Sequence, residues 1–150
     1  MKKLFLLGIM CFMALAMNAQ SFVDLGLPSG TKWKTQNQSG FYTYDEAVAQ
    51  FGNRLPTKDQ WKELQIECSW EWTGNGYKVT GSNGNSIVLP ADGGRSIDGN
   101  IYGVGSGGTY WSSMPNHSEK AWSFYFDSNG VYVSNKFRRN MGLSVRLVQR

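Results

Sequence analysis

Few side chains in this sequence could act as a nucleophile, an acid or a base. His117 is the only histidine, and it lies in a Pro-Asn-His-Ser turn. An imidazole base needs a nucleophile and an orienting carboxylate beside it, and no motif supplies them. Glu63 and Glu67 share one face of a helix, whereas retaining glycosidases hold two carboxyl groups about 5 Å apart across a cleft. The sequence therefore predicts a protein that is not an enzyme and has no catalytic residues.

Metal ligands are equally scarce. His117 and Cys68, the only histidine and the only thiol outside the N-terminal apolar run that holds Cys11, cannot build a structural zinc site of the usual kind. Asp92, Asp98 and Asp127 stand in loops, and the segment Asp-Ser-Asn-Gly at 127–130 resembles part of a calcium loop without its later bidentate glutamate. We therefore predict no metal site and no cofactor, with calcium as the alternative.

The N-terminus has the residue order of a secretory signal peptide. Two lysines precede an apolar run over 4–17, and Asn18-Ala19-Gln20 follows. The run is shorter than the roughly 20 residues of a membrane-spanning helix. We predict that residues 1–19 are removed and that 20–150 form one exported domain, in the periplasm, at the cell surface or outside the cell. Removal of Lys2 and Lys3 leaves 13 of the 15 basic residues, against 11 acidic residues. This near balance of charge does not indicate nucleic-acid binding.

The hydrophobic pattern predicts two helices followed by strands. Capping-box spacings at Thr43–Glu46 and Thr57–Gln60 each precede apolar residues at helical intervals. From Ser69 onward the period changes to two, which indicates antiparallel strands, the last of them over 143–148. Residues 90–108 are rich in glycine and are predicted to form a long loop. The expected fold class is α+β, with two helices followed by an antiparallel β meander with long loops.

Aromatic residues make up 14% of the sequence, so most of them must pack in the core. In the strand 122–126, alternation puts Ser123 and Tyr125 on the face opposite to Trp122, which makes Tyr125 a candidate for the surface. The run Lys136-Phe137-Arg138-Arg139 could attract an anionic glycan or an acidic protein patch, with Phe137 as an exposed anchor. Cys68, left as the only thiol after processing, is expected to be a buried small hydrophobe.

Five ordered motifs carry a resemblance to a known family. They are Val23–Thr31 with Trp33, Arg54–Thr57 before Trp61, Gly76–Gly81, Tyr110–Ser113, and Gly142 with Ser144–Arg146. Together they resemble the Fibrobacter succinogenes major paralogous domain family, which is common in exported proteins of gut Bacteroidetes. The resemblance implies a C-type-lectin-like fold, related to the formylglycine-generating-enzyme superfamily.

The segment 111–150 also resembles the variable region of diversity-generating retroelement target proteins, whose variable side chains line a ligand-binding face. By position, the resemblance implies a ligand-binding face made of Asn116, His117, Ser123, Tyr125, Tyr132, Ser134, Lys136, Phe137, Arg138 and Asn140. Arg139 and Arg146 match recurrent arginines of the family's closing motif and are expected to make structural hydrogen bonds. The formylglycine-generating relatives use cysteines in the C-terminal part of the fold, whereas Cys68 follows the second helix.

These observations predict an exported, non-catalytic domain that recognises a glycan or a protein through its C-terminal face. The alternatives are a structural subunit of a surface assembly and an enzyme related to formylglycine-generating oxidases. The expected partner is a glycan or protein ligand at the cell surface. No nucleic-acid partner and no transmembrane segment in the processed chain are expected, and the oligomeric state is left open.

Overall fold

The structure, a computed structural model, describes residues 22–116 and 118–150. The predicted signal peptide over 1–19 and the candidate residue His117 lie outside the described residues. The described chain contains two α-helices and short strands that pair antiparallel, which confirms the predicted α+β class. The strands are β1 Phe22–Asp24, β2 Lys32–Lys34, β3 Ser69–Trp72, β4 Gly76–Thr80, β5 Ser86–Pro90, β6 Gly94–Arg95, β7 Ile101–Tyr102, β8 Gly107–Pro115, β9 Ala121–Asp127, β10 Gly130–Ser134 and β11 Val148–Gln149.

Both helices begin at the predicted caps. Helix α1 spans Tyr44–Phe51, and the Thr43 hydroxyl accepts the Glu46 N–H at 3.3 Å. Helix α2 spans Lys58–Glu67 after a 3₁₀ turn at Gly52–Arg54. Its capping box is complete, because the Thr57 hydroxyl accepts the Gln60 N–H at 3.1 Å and the Gln60 side chain accepts the Thr57 N–H at 2.8 Å. Each cap satisfies donors that a helix start leaves without partners. Among the described residues, neither helix is long and apolar enough to cross a membrane.

The strands form four small sheets instead of one continuous meander. Three of the sheets are built from consecutive strands, in the orders β3-β4-β5, β6-β7 and β10-β9-β8. The fourth has the order β1-β2-β11, so the last strand pairs with β2 and Val148 lies opposite Trp33. The predicted loop over 90–108 contains the β6-β7 hairpin. Within that stretch, Gly93 requires a glycine, since its φ is +66° and a Cβ would overlap the carbonyl oxygen of Tyr102.

The predicted closing strand over 143–148 is wrong for most of its length. Only Val148 of that stretch belongs to a strand, β11. The preceding residues are extended, but their backbone bonds go to two sides: Ser144 pairs with Thr109 and Trp111 of β8, while Val145 accepts from the Gln38 N–H at 2.8 Å. All six side chains of the stretch are buried. A segment that lies between two partners has no solvent face, so its continuous burial does not produce strand alternation.

The sheet β8-β9-β10 lies between two hydrophobic clusters. Trp61 of α2 is at the centre of the first cluster, where it stacks on Phe124 with ring centroids 4.5 Å apart and an interplanar angle of 5°. Trp111 belongs to the second cluster, beside α1 and the extended C-terminal segment. Its neighbour Tyr110 points to the first cluster, as strand alternation requires. The sheet is therefore buried on both faces over much of its length.

Arg146 and Arg139 make the structural hydrogen bonds expected of them. Arg146 is fully buried, and its guanidinium donates to the Asn37 side chain at 2.7 Å and to the carbonyls of Lys34 and Val88 at 2.9 and 2.6 Å. Arg139 forms an ion pair with Asp45 at 2.6 Å. The first residue connects the C-terminal segment to two other parts of the chain, and the second connects it to α1.

Candidate functional site

Two tyrosines form an aromatic platform on the outer part of the β8-β9-β10 sheet. Tyr125 of β9 and Tyr132 of β10 are cross-strand partners, and their rings stack with centroids 5.4 Å apart at an interplanar angle of 21°. Tyr125 is half-buried, whereas Tyr132 is 44% exposed. The Tyr132 ring lies over the turn at Gly130, where a Cβ would come within 2.7 Å of the tyrosine oxygen. The missing side chain at Gly130 therefore makes room for the exposed ring.

A carboxylate is held at one edge of this platform. The Tyr125 hydroxyl donates to the Asp127 carboxylate at 2.7 Å, and the Asn129 N–H donates to its other oxygen at 2.9 Å. The hydrogen bond from Tyr125 lowers the pKa of Asp127. The same bond raises the pKa of Tyr125 to about 12. At neutral pH, Asp127 is therefore ionised and Tyr125 protonated.

An ammonium group lies at the platform as well. The Lys136 Nζ is 3.9 Å from the centroid of the Tyr125 ring and 5.3 Å from that of Phe137. A cation over an aromatic face is attracted by the ring quadrupole, by roughly 0.5–1 kcal/mol at an exposed site. Tyr125 therefore orients two opposite charges, the carboxylate through its hydroxyl and the ammonium through its ring.

Three depressions begin at the platform and continue along the neighbouring surface. The glycine cavity, of about 430 Å³, lies between the platform and the glycine-rich stretch 103–108. The central groove, of about 540 Å³, is lined by Ser96, Ile97, Asp98, Lys136, Arg138 and Met141. The helix groove, of about 530 Å³, is lined by Thr43, Asp45, Ser118, Glu119, Arg138, Arg139 and Asn140. Lys136 belongs to the first two and Arg138 to the last two, so the three depressions follow one another along a single surface.

The structure corrects two of the predicted site residues. Phe137 is only 8% exposed and packs in the second hydrophobic cluster, so the prediction that it is an exposed anchor is wrong. Ser123 is fully buried opposite Trp111, and its hydroxyl donates to the Ser134 carbonyl at 3.0 Å. Ser123 is buried because the second cluster covers the sheet face that alternation assigned to solvent, and Phe137 belongs to that cluster. Ser123 is closed to a ligand, whereas the small exposed part of Phe137 lines the glycine cavity.

The remaining candidates differ in their position. We define the terminal face by Tyr125, Tyr132, Lys136, Arg138 and Asn140, which line the platform and the three depressions. Ser134 is half-buried, and its hydroxyl accepts the Lys136 N–H at 3.2 Å, so it supports the loop that carries the cations. Asn116 is exposed in the β8-β9 connection, two residues before Ser118 of the helix groove.

Sequence reasoning missed the polar neighbours of the platform. The sequence indicates Asp127 and Asn129 only as part of a segment that resembles a calcium loop, not as neighbours of an aromatic site. The spacing of Tyr125 and Asp127, two residues apart in one strand, places both on the same face and could have identified the pair. The part of the glycine cavity lined by Gly107 and Gly108 could not have been found this way, because these residues lie next to Tyr125 and Asp127 only through the register of β8 with β9.

The possible metal ligands of the described residues are scattered or bound by their own neighbours. Within 22–116 and 118–150, no three His, Cys, Asp or Glu side chains are close enough to hold a metal ion. Asp98 is engaged by its own loop, through the Ser96 hydroxyl and the backbone and side-chain amides of Asn100. Cys68 was expected to be buried but is half-buried, packed against the first hydrophobic cluster, and burial raises the pKa of its thiol to about 11. A thiol with that pKa stays protonated at neutral pH and is a poor nucleophile.

Comparison with known proteins gives one match. No curated protein and no solved structure matches the chain. One family model, described as "Domain of unknown function (DUF8237)", matches residues 74–148. The matched segment contains the strands from β4 to β10 and all five residues of the terminal face. Because the match covers half of the sequence, the chain belongs to this family of domains of unknown function.

Proposed function

We propose that this protein is an exported, non-catalytic domain that binds a glycan or a protein through its terminal face. The observation that carries the proposal is the exposed Tyr132 ring stacked on Tyr125, with the Asp127 carboxylate and the Lys136 ammonium held beside it. Aromatic surface with a few fixed polar groups is the usual composition of a ligand site. The three adjoining depressions give such a ligand room to extend.

The platform is built to be rigid before a ligand arrives. Tyr125 is fixed by its hydrogen bond to Asp127, by the stacked Tyr132 and by contact with the second cluster. The backbone of Asp127 is fixed in turn, because its carbonyl accepts the Tyr77 hydroxyl at 2.8 Å. A site with few side chains left to order loses little conformational entropy on binding, and this favours recognition.

We also propose that the domain has a C-type-lectin-like fold and is exported from the cytoplasm. The two helices and the small antiparallel sheets support the C-type-lectin-like fold implied by the family resemblance. Export rests on the order of residues over 1–19, and N-terminal sequencing of the protein recovered outside the cytoplasm should begin at Gln20. Recovery of the protein only in the cytoplasm, with Met1 intact, would contradict the proposed export.

A glycan array and a pull-down from cell surfaces test the proposed binding. Tyr132→Ala removes the exposed ring and should weaken binding at least tenfold, whereas Tyr132→Phe keeps the ring and should bind within threefold of the natural protein. Ile66→Ala is the matched control, since Ile66 is 75% exposed on α2 and lies outside the terminal face. Equal binding by all three variants, or an empty array together with an empty pull-down, would refute the proposed function.

A further inference from the structure

The central groove presents two cations that the described chain does not neutralise by contact. Lys136 and Arg138 are both exposed and line the same depression. Within the described residues, the guanidinium of Arg138 takes part in no hydrogen bond or ion pair, and the Lys136 ammonium contacts only the Tyr125 and Phe137 rings. Arg139 differs, because it is paired with Asp45. Neighbouring positions of one loop thus carry both a structural arginine and two cations that form no direct ion pair with a carboxylate of the described residues. Lys136 still acts on Asp127, because its charge adds to the lowering of that carboxyl's pKa, which is chiefly due to the hydrogen bond from Tyr125.

The carboxylate in the same groove is directed elsewhere. Both oxygens of Asp98 accept hydrogen bonds from their own loop, from the Ser96 hydroxyl and from the Asn100 N–H and side-chain amide, the last two at 3.2 and 3.0 Å. Hydrogen bonding from Ser96 lowers the pKa of Asp98, so its charge is present at neutral pH and the groove carries a net charge of +1. Asp98 therefore reduces the positive charge of the groove, but its own hydrogen bonds leave the donors of Lys136 and Arg138 open to a ligand.

From this arrangement we infer that the central groove is the subsite for the acidic group of a charged glycan, a uronate or a sulfate ester. A planar guanidinium with a nearby ammonium matches the oxygens of either anion. Ile97 and Met141 add apolar surface to the groove, on which the C–H face of a sugar ring can pack. This inference rests on the proposed function and specifies the ligand of the terminal face.

Burial of Phe137 favours a glycan over an acidic protein. Protein interfaces concentrate their binding energy in large apolar or aromatic anchors at a desolvated centre. Among the described residues that line the central groove there is no such aromatic anchor, because Phe137 is 8% exposed and packed in the second cluster and the exposed Tyr132 ring lies outside the groove. Between Tyr132 and Asn140 the exposed groups are mainly charged and polar. That composition suits a hydrated polar ligand.

Calorimetric titration of the purified protein with four probes tests the inference. The probes are an oligogalacturonide, its fully methyl-esterified form, a heparin-derived oligosaccharide and a poly-glutamate peptide. We expect at least one acidic oligosaccharide to bind tenfold or more tightly than the neutral ester, and binding to weaken with salt. The double variant Lys136→Gln with Arg138→Gln should reduce acidic binding to the level of the ester. Lys32→Gln with Lys78→Gln removes the same charge at two exposed positions outside the groove and should bind within twofold of the natural protein.

Each remaining outcome overturns the inference. Equal binding of the ester and the acid, with no effect of the groove variant, would refute the acidic subsite and leave the proposed function standing if Tyr132→Ala still abolished binding. Equal losses in the groove variant and the control variant would show unspecific charge attraction. Tighter binding of poly-glutamate than of either acidic oligosaccharide would identify a protein ligand instead. Failure of every probe would refute the acidic subsite, and an empty array together with an empty pull-down would refute the proposed function as well.

Discussion

Replacing the buried Arg146 by methionine tests how the C-terminal segment is held. Its guanidinium donates to three acceptors on two separate parts of the chain, the Asn37 side chain at 2.7 Å and the nearby Lys34 carbonyl at 2.9 Å, and the Val88 carbonyl at 2.6 Å. Methionine keeps much of the volume but donates to none of them. All three acceptors would then be left in the interior without this donor.

The magnitude follows from the number of orphaned acceptors. Each buried acceptor that loses its partner costs about 1–3 kcal/mol, so three cost roughly 3–9 kcal/mol. Removal of a buried charge offsets several kcal/mol of this, because the guanidinium is itself desolvated. We therefore expect Arg146→Met to lower the free energy of unfolding by about 3–5 kcal/mol. Arg146→Lys should cost about half as much, since one ammonium cannot reach three diverging acceptors.

Urea unfolding followed by tryptophan fluorescence measures the effect. The control is Arg150→Met, which removes an exposed arginine four residues later and should change stability by less than about 0.5 kcal/mol. If Arg146→Met stayed within about 1 kcal/mol of the natural protein, the three hydrogen bonds would not be what holds the segment. Loss of folding in Arg146→Met, with Arg146→Lys folded but weakened, would agree with the expected order.

Three further predictions concern the platform and the core. Tyr125→Phe should raise the pKa of Asp127 toward its ordinary 3.8, as measured by carboxyl-carbon NMR, because Tyr125 is the main cause of the lowered value. Above about pH 4, the variant should be less stable than the natural protein, and this difference should vanish as the pH falls through the native pKa of Asp127. An unchanged Asp127 titration would contradict the pairing of Tyr125 with Asp127. Gly81→Ala should cost about 2–3 kcal/mol in urea unfolding, because its Cβ would overlap the Leu25 carbonyl, and a neutral result would refute that close approach. Phe137→Ala should cost about 3–4 kcal/mol, as for a core residue; loss of binding without loss of stability would restore its reading as a surface anchor.

The helices were predictable because their signals are local. A capping box requires only residues three positions apart, so Thr43 and Thr57 fix the starts of α1 and α2 without any knowledge of the tertiary structure. The core position of Trp61 could be predicted from the second capping box, since Trp61 is the first large apolar residue of that helix. In the structure it is fully buried. The same local reasoning placed Tyr125 at the surface side of β9, where half of its ring remains open.

The errors occurred where burial depends on distant segments. Alternation in β9 distinguishes two faces but not which of them is covered, and here the first cluster covers one face and the second much of the other. Ser123 was assigned to solvent for that reason. The predicted strand over 143–148 was wrong for a different reason. The two backbone partners of this stretch, β8 and the 34–42 loop, are close to it only in the folded chain.

Burial of Phe137 explains how the terminal face keeps its cations outward. Exposure alternates along this loop: Lys136, Arg138 and Asn140 are exposed, whereas Phe137 is in the core and Arg139 is paired with Asp45 and stacked on the Tyr44 ring at 4.7 Å. The two inward residues fix the path of this loop, which bends at Phe137 and turns at Arg139 and Asn140, and Lys136, Arg138 and Asn140 before, between and after them lie in solvent. Side chains at those three exposed positions can therefore change without loss of core packing, and a ligand meets donors carried by a backbone that is already held in place.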